Sequence, residues 1–253
     1  MGRMVKKEFI FGFHAINALL TSHPEKVCRL YRQDARDDKR MQAILQLAET
    51  HAIPIQSLTK QQCDNWSKGG VHQGVFAEIK TYKPLHERDL LDLLAQRLQD
   101  PTRAPFLLIL DEVQDPHNLG ACLRSANAAG VDAVIIPQDR SARLTATVRK
   151  IAAGAAEITP VFSVINLAST LDKLKKAGVW CYGLDHAATQ LIYETRLTGA
   201  LALVLGAEGK GLRRLTRERC DELMAIPMVG TVSSLNVSVA AGICLFEALR
   251  QRQ

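Results

Sequence analysis

The hydrophobic pattern of the first 82 residues alternates between helical and extended segments. Residues 12–20 and 36–51 carry apolar residues near the helical spacing. Residues 27–31, 53–58 and 74–79 have the composition of strands. This alternation predicts a small α/β domain over residues 1–82.

Residues 83–103 are a polar, amphipathic stretch that contains Pro84 and Pro101. Four leucines would share one face of a helix there: Leu90, Leu91, Leu94 and Leu98. Because the acidic and basic residues of this stretch balance, we interpret it as a linker helix that packs on one of the domains.

From residue 104 onward, continuous apolar runs alternate with helical patterns. The runs are FLLILD, AVIIP, VWCYGLD, LALVLG and LMAIPM. Strands that lack alternation are buried on both faces, as in parallel sheets covered by helices. The pattern therefore predicts a parallel, doubly wound α/β domain over residues 104–253, with ligands bound at the carboxyl ends of its strands.

The composition is that of a globular protein, with 47% hydrophobic and 23% charged residues among 253. It excludes the disordered, collagen-like and low-complexity classes. The apolar runs fall far short of the ~20 residues that span a bilayer, and the N-terminus does not resemble a secretory signal. The six cysteines occur singly, without histidines at metal-ligand spacing. We therefore expect a cytoplasmic protein with buried thiols, no metal site and no membrane segment.

The charge is unevenly distributed along the chain. The formal net charge is +6, and the residues through Lys80 hold twelve basic and eight acidic side chains, or +4 of that excess. A basic surface permits an anionic partner without requiring one. If the partner is a nucleic acid, its contacts are expected mainly in the first domain.

The loop after the first apolar run of the second domain begins a helix. Asp115 or Asn118 can cap this helix, and Pro116 suits its first turn. Arg124 follows one to two turns later, among small residues. It is either a surface residue on the solvent face or a cation with an anionic partner, and periodicity leaves both interpretations open.

A glycine-rich loop, residues 205–211, follows the run LALVL directly. Its spacing matches neither a Walker A loop nor the G-x-G-x-x-G pattern. Glu208 would repel a phosphate, so a neutral or cationic ligand fits this loop better, and a simple flexible turn is the alternative.

Residues 226–236 precede a helix of small residues. Ser233, Ser234 and Asn236 supply short polar groups at its N-terminus, where capping explains one or two of them. The remaining polar groups indicate a binding site.

These three segments resemble the motifs of the SpoU (TrmH) RNA 2′-O-methyltransferases, a family of the SPOUT superfamily. The motifs are N-x-G-x-x-x-R, G-x-E-x-x-G and I-P-M-x-G-x-x-x-S-L-N-V-S-V-A, and they occur in the family's order between residues 106 and 249. The first domain resembles the family's L30e-like substrate-binding domain in the phrases FGFHAINAL (11–19) and VHQGV (71–75). Length and domain arrangement are most similar to members that methylate a guanosine ribose in 23S rRNA.

The resemblance implies that the last strands and helix form a trefoil knot, an exception to the rule that folds are unknotted. It also implies a homodimer with active sites at its interface, and S-adenosylmethionine as the cofactor. The implied cofactor-binding residues are Leu205, Gly206, Gly209, Ile226, Pro227, Met228 and Leu235. An adenine and a sulfonium cation need apolar contacts and amide hydrogen bonds, which agrees with the composition of these loops.

The resemblance further implies a set of catalytic residues: Asn118, Arg124, Glu208, Ser234 and Asn236. A guanidinium hardly gives up its proton, so we expect Arg124 to stabilise the developing ribose oxyanion rather than to act as a base. The other four would order the loops and the ribose.

Two alternatives stay open. One is a tRNA ribose 2′-O-methyltransferase of the same family, against which the additional first domain argues. The other is a non-catalytic RNA-binding dimer, against which the intact motif residues argue.

Other residues have simpler interpretations. The arginines at 213, 214, 217 and 219 are expected on a solvated helix face that can touch RNA phosphates. His14 and His72 are candidates for RNA contact, whereas Tyr31, Trp66 and Phe76 are expected in a core.

Overall fold

The computed structural model describes residues 8–34, 36–67, 72–80, 85–100 and 102–253. They fall into two compact units, which are Met1–Lys83 with Thr145–Ile158, and Pro84–Leu144 with Thr159–Gln253. Val71 of the phrase VHQGV and the prolines Pro84 and Pro101 lie outside the described residues.

The first unit contains a four-stranded mixed sheet. Its elements are β1 (Glu8–Phe11), α1 (Phe13–Ser22), β2 (Val27–Gln33), α2 (Lys39–Thr50), β3 (Ile55–Leu58), α3 (Lys60–Ser67) and β4 (Val75–Ile79). The strand order is β1-β4-β2-β3, with β4 antiparallel to both β1 and β2 and with β3 parallel to β2.

The two faces of this sheet bury different side chains. Aliphatic residues such as Ile10, Leu30 and Ala77 pack with residues of α1 and α2. Tyr31 and Phe76 are buried in a second cluster, as expected, and Trp66 packs against both rings although it is 38% exposed.

Two short helices from the middle of the chain, α6 (Ala146–Ala152) and α7 (Ala155–Ile158), belong to this first unit. A Cβ added at Gly154, between them, would lie 2.6 Å from the Cβ of Ala18 in α1. The close approach, together with a φ of 95° at Gly154, requires glycine there. The compact units thus depart from the predicted boundaries, because this segment packs with the first unit.

The second unit contains a six-stranded sheet in which every neighbouring pair is parallel. Its elements are α4 (Glu87–Leu98), β5 (Phe106–Asp111), α5 (Pro116–Ala128), β6 (Ala133–Pro137), β7 (Val161–Val164), α8 (Leu167–Lys176), β8 (Trp180–Leu184), β9 (Leu201–Gly206), α9 (Arg214–Arg219), β10 (Glu222–Met224) and α10 (Val237–Arg252). The parallel α/β fold predicted from the continuous apolar runs is confirmed.

The strand order of this sheet is β10-β8-β9-β5-β6-β7. The chain therefore crosses from β7 to β8, comes back to insert β9 between β5 and β8, and then adds β10 outside β8. Helix α10 then packs against α5 and β9. This order brings the ends of β5, β8 and β9 next to one another.

Helix α4 packs on the second unit, as expected for the linker helix. Leu90 and Leu94 are buried in one cluster with Phe162 of β7. The carboxylate of Glu87 accepts a hydrogen bond of 2.7 Å from the hydroxyl of Thr170 and pairs with Lys173 of α8. The helix is therefore part of this core.

The sequence pattern did not predict five elements, namely β1, α3, α7, β7 and α8. The two strands have four residues each, too few for a clear periodicity. Among the described residues, no helix has the length and apolar character needed to cross a membrane.

Candidate functional site

A cavity of about 250 Å³ opens at the carboxyl edge of the parallel sheet. The ends of β8 and β9, the segment after β10 and the start of α10 surround it. Its lining residues are Leu184, His186, Leu205, Gly206, Ala207, Glu208, Gly209, Gly211, Ile226, Met228, Ser233, Ser234, Leu235, Val237 and Ala240. We call this space the carboxyl-edge cavity.

Six of the seven predicted cofactor-binding residues line the carboxyl-edge cavity: Leu205, Gly206, Gly209, Ile226, Met228 and Leu235. Pro227, the seventh, lies between two lining residues and is exposed. The sequence motifs do not include two further lining residues, Leu184 at the end of β8 and His186 just after it. The rule that ligands bind at the carboxyl ends of parallel strands would have found both.

The glycine loop folds back on the end of β9. A Cβ added at Gly206 would lie 2.1 Å from the carbonyl carbon of Gly211 and 2.4 Å from the amide nitrogen of Leu212. Gly209 and Gly211 have φ values of 75° and 64°, in the left-handed region that favours glycine. The amide of Gly211 donates to the carbonyl of Ala207 at 2.9 Å. The loop is therefore a closed turn on the cavity wall.

The walls of the cavity offer apolar surface and backbone donors. Leu184, Leu205, Ile226 and Leu235 supply aliphatic side chains. Within the described chain, the amides of Ile226, Met228 and Leu235 donate to no acceptor. Ile226 and Leu235 are half-buried and Met228 is exposed on the cavity wall, so their amides can donate to a ligand that carries acceptors.

Three predicted catalytic residues meet at the rim of the cavity. Asn236 caps α10, and its side-chain oxygen accepts a hydrogen bond of 2.9 Å from the amide of Ser238. Its side-chain nitrogen donates to the side-chain oxygen of Asn118 at 2.9 Å and to a carboxylate oxygen of Glu208 at 3.1 Å. We call Asn118, Glu208 and Asn236 the rim cluster.

Helix caps hold two members of the rim cluster, Asn118 and Asn236, at the starts of α5 and α10. Asp115 caps α5 by accepting from the amides of His117 and Asn118 at 3.1 and 3.3 Å, and Pro116 occupies the first turn. Asn118 therefore lies in the first turn of α5. Cap geometry at both helices brings together two asparagines that are 118 residues apart in the sequence.

The other two predicted catalytic residues, Ser234 and Arg124, make no hydrogen bond to the rim cluster. Ser234 lines the cavity and is exposed. Arg124 lies on the exposed side of α5, and its guanidinium makes no hydrogen bond or ion pair with any described residue. It is thus available to a ligand.

The thiols of the second unit are unsuited to nucleophilic chemistry. Burial raises the pKa of Cys122, Cys220 and Cys244 to about 12 and that of Cys181 still further. A thiol that stays protonated at neutral pH is a poor nucleophile. The expectation of buried thiols holds for Cys63, Cys122, Cys181 and Cys244, whereas Cys220 is half-buried and Cys28 is exposed.

In the first unit, the two phrases singled out in the sequence meet each other. The side-chain oxygen of Gln73 accepts a 3.0 Å hydrogen bond from the amide of Phe13. Both ring nitrogens of His72 are engaged, one with Asp64 at 3.1 Å and the other with the amide of Gly74 at 3.0 Å. His72 therefore has a structural role, whereas His14 is exposed.

Comparison with known proteins gives two family matches. The family model described as "SpoU rRNA Methylase family" matches residues 105–246, and that described as "RNA 2'-O ribose methyltransferase substrate binding" matches residues 9–85. Together they span both compact units.

Two curated relatives are similar over nearly their whole length. The 23S rRNA (guanosine-2'-O-)-methyltransferase RlmB of Photorhabdus laumondii is 54% identical, over 97% of this chain and 98% of its own. The RlmB of Escherichia coli strain K12 is 53% identical, over 97% of this chain and 99% of its own.

A solved structure with the same fold carries a cofactor. The SpoU methyltransferase AviRb of Streptomyces viridochromogenes, in complex with AdoMet, has a TM-score of 0.77 and 22% identity. The alignment covers 97% of this chain and 90% of that one.

Proposed function

The chain belongs to the SpoU rRNA methylase family, and we propose from this premise that it transfers a methyl group from S-adenosylmethionine to the ribose 2′-hydroxyl of a guanosine in 23S rRNA. The observation that carries the proposal is the rim cluster at the mouth of the apolar cavity, in a chain about 53% identical to RlmB relatives over their full length. The 23S rRNA substrate also implies a cytoplasmic enzyme.

The cavity residues fit the cofactor. Leu205, Ile226 and Leu235 offer apolar contacts to an adenine, and the amides of Ile226, Met228 and Leu235 offer hydrogen bonds. We assign Gly206, Gly209 and Pro227 to the same pocket. When bound, S-adenosylmethionine supplies a methyl group on a sulfonium, which is already a good electrophile.

The protein's own task is to make the ribose hydroxyl reactive and to align it. A 2′-hydroxyl is a weak nucleophile at neutral pH, so the charge that develops on its oxygen has to be stabilised. We assign this role to Arg124, whose guanidinium is exposed and makes no bond to the described residues. The bond from the ribose oxygen to the methyl carbon would form as the bond from that carbon to the sulfonium sulfur breaks, which would leave a neutral thioether. Water can accept the proton that leaves the ribose oxygen.

The rim cluster orders the loops on either side of the reacting groups. Asn236 uses both side-chain hydrogens, so Glu208 and Asn118 are held in one arrangement. We assign Asn118, Glu208, Ser234 and Asn236 to orienting the ribose and the loops.

We assign RNA selection to the first domain, predicted as residues 1–82 with an L30e-like fold. Its support is the match of residues 9–85 to a substrate-binding family and the +4 charge through Lys80. Attraction to phosphates gives affinity, and contacts to an unpaired guanine would select the nucleotide.

We further propose a homodimer whose catalytic domain is knotted. Support for the knot is the insertion of β9 between β5 and β8, followed by the return of α10 to α5.

Support for the dimer is an exposed apolar face of α10. Val239 and Phe246 are 51% and 50% exposed, and they lie on the same face of the helix because they are seven residues apart. Sedimentation is expected to give a dimer for the wild type and a monomer for Phe246→Glu. A wild type that stays monomeric at micromolar concentration contradicts the dimer.

The function is tested by mapping 2′-O-methyl groups at nucleotide resolution in rRNA and tRNA. The host is a bacterium lacking its own member of the family and complemented with this chain. We expect one 23S rRNA guanosine to gain the methyl group with the wild type and not with Arg124→Ala. A methyl group that returns in tRNA instead supports the tRNA alternative, and its absence from both RNAs contradicts the proposal.

A further inference from the structure

The arginines around α9 are partly exposed, and each one also pairs with a carboxylate. Four pairs are formed: Arg213 with Asp111, Arg214 with Glu218, Arg217 with Asp185 and Arg219 with Asp172. The sequence pattern predicted a solvated face that could touch RNA phosphates. Because each guanidinium already has an acidic partner, this surface has little net positive charge to offer RNA.

The pair formed by Arg213 and Asp111 holds the base of the glycine loop. Asp111 ends β5, is fully buried, and lies opposite Gly206 in the ladder between β5 and β9. One carboxylate oxygen accepts from the side-chain Nε of Arg213 at 2.7 Å, and the other accepts from its backbone amide at 3.1 Å. The loop therefore leaves β9 beside Asp111 and is tied to Asp111 again where it ends.

The same arginine reaches a second carboxylate. Its guanidinium lies 3.6 Å from a carboxylate oxygen of Glu112, which also pairs with Arg140 at 3.3 Å. The end of β5 thus carries a small network of alternating charges that converges on Arg213. Within this network, the guanidinium of Arg213 is the group that joins the end of β5 to the loop on the cavity wall.

The pair formed by Arg217 and Asp185 holds the opposite wall. Asp185 follows β8 directly, and its carboxylate lies 2.9 Å from Nε of Arg217. The other carboxylate oxygen accepts from the amide of Ala187 at 2.9 Å, which fixes a turn. This turn carries His186, and Leu184 lies directly before Asp185. Both Leu184 and His186 line the carboxyl-edge cavity.

We propose that Arg213 and Arg217 are positioning residues that hold the two walls of the carboxyl-edge cavity in the geometry that binds the cofactor, and that they are not ligands of RNA phosphates. The proposal rests on the proposed function only for the identity of the cofactor. One short helix, α9, thereby connects the loops after β5, β8 and β9, and its ion pairs set the distance between the cavity walls.

Burial gives the first pair its importance. Removing the guanidinium leaves the Asp111 carboxylate buried without its partner, which costs far more than losing a surface ion pair. The loop would then move to let water reach the carboxylate. Because Gly206, Gly209 and Gly211 line the cavity, that movement reaches the ligand directly.

The same helix supplies a matched control. Arg214 is 76% exposed, and its partner Glu218 lies on α9 itself, so this pair connects no cavity wall. Arg214→Gln removes the same charge from the same helix as Arg213→Gln or Arg217→Gln. Weaker RNA binding caused by the lost charge would therefore appear in all three variants. Weaker cofactor binding caused by a displaced cavity wall would appear only in Arg213→Gln and Arg217→Gln.

The experiment compares the full-length wild type with Arg213→Gln, Arg217→Gln and Arg214→Gln. Calorimetry measures the affinity for S-adenosylmethionine, and filter binding over a range of salt concentrations measures the affinity for a 23S rRNA transcript. We expect Arg213→Gln and Arg217→Gln to weaken cofactor binding about tenfold or more while rRNA affinity and its salt slope stay as in the wild type. Arg214→Gln is expected to change neither.

Two further variants keep the test decisive if Arg213→Gln unfolds. Arg213→Lys keeps the charge but not the planar fork, and it should bind the cofactor with intermediate affinity. Asp111→Asn combined with Arg213→Gln removes both charges, and it should unfold at a higher temperature than Arg213→Gln alone.

Cofactor affinity equal to that of the wild type in folded Arg213 and Arg217 variants overturns the inference. So does a loss of rRNA affinity with a shallower salt slope in those variants, because that result identifies phosphate ligands. If the wild type itself does not bind S-adenosylmethionine, the proposed function fails instead, so the two failures are distinguishable.

Discussion

At the scale of single residues, Arg124 differs from the arginines around α9. Those arginines each pair with a carboxylate, whereas Arg124 makes no bond with a described residue. It also lies on α5, the helix whose first turn carries Asn118 of the rim cluster. An unpaired guanidinium on this helix is suited to a transient anionic partner such as a ribose oxyanion.

Replacement of this residue tests that role. We expect Arg124→Ala to lower the rate of methyl transfer at least about a hundredfold, the effect typical of removing a donor to an oxyanion. Affinity for S-adenosylmethionine should stay unchanged, because Arg124 is assigned to the hydroxyl. Single-turnover kinetics and calorimetry measure the two quantities. Arg124→Lys is the control for charge alone, and near-normal turnover of Arg124→Ala would reject the assignment.

Asn236 has two separable roles, and aspartate keeps only one of them. Its side-chain oxygen caps α10 and its side-chain nitrogen binds Asn118 and Glu208. Aspartate caps a helix about as well as asparagine but has no hydrogens to donate. It would also set a carboxylate against that of Glu208.

We therefore expect Asn236→Asp to retain the melting temperature within a few degrees while losing at least about tenfold in methyl transfer. Thermal unfolding and a methyl-transfer assay measure the two effects. Asn236→Ala, which removes the cap as well, is expected to lower both stability and activity. A fully active Asn236→Asp would show that the rim cluster is dispensable.

At the scale of elements, the last turns of α10 hold a loop of the sheet. The side-chain amide of Gln251 donates to the carbonyl of Thr195 at 3.1 Å and accepts from the amide of Leu197 at 2.8 Å. Glu247 orients this amide through a 2.7 Å hydrogen bond and also pairs with Arg250. The helix end thereby fixes the chain between β8 and β9.

The ionisation of Glu247 links this contact to pH. The hydrogen bond from Arg250, and to a smaller extent the one from Gln251, lowers the pKa of the Glu247 carboxyl from 4.5 to about 2. A lowered pKa in the folded state contributes stability above pH 4.5, and that contribution is lost as the pH falls towards 2. We expect the wild type to have a higher melting temperature than Glu247→Gln at pH 7. This difference in melting temperature should shrink as the pH falls from 4.5 to about 2. A difference that is constant with pH in thermal unfolding would contradict this account.

At the scale of the whole molecule, the boundary between the two units matters for truncation. Leu90 and Leu94 of α4 are buried in the core of the second unit, and Leu85 pairs with Phe162. Residues Thr145–Ile158, in contrast, pack with the first unit. A truncated second unit therefore needs α4, and it exposes the apolar faces of α6 and α7.

We expect a protein that begins at Leu85 to bind S-adenosylmethionine but not to methylate 23S rRNA. A protein that begins at Arg103 should be less stable by roughly 3–6 kcal/mol, because each buried leucine contributes about 1.5–3 kcal/mol. Denaturant unfolding compares the two, and a mild detergent limits association through α6 and α7. Equal stability would show that α4 is only a linker, and full methylation by the shorter proteins would move RNA selection out of the first domain.

The sequence by itself determined the local features, such as strands and helix starts, that depend only on residues close together in the chain. The continuous apolar runs specify buried parallel strands, since only both-face burial removes the alternation of polar and apolar residues. Asp115, Pro116 and Asn236 mark helix starts because a cap acts within three residues. The glycine-rich loop and the short polar groups before α10 could be found the same way, whereas the cofactor-binding and catalytic roles came from the resemblance of the three motifs to the family.

Only the tertiary structure decided which of these local features meet. Asn118 contacts Asn236, and Asp111 contacts Arg213, because the register of β5 against β9 and the packing of α10 on α5 bring distant segments together. The segment Thr145–Ile158 carries a helical pattern that does not say with which unit it packs, and a glycine contact with α1 resolves this. Periodicity specifies which face of an element is buried, and only the three-dimensional packing specifies its partner.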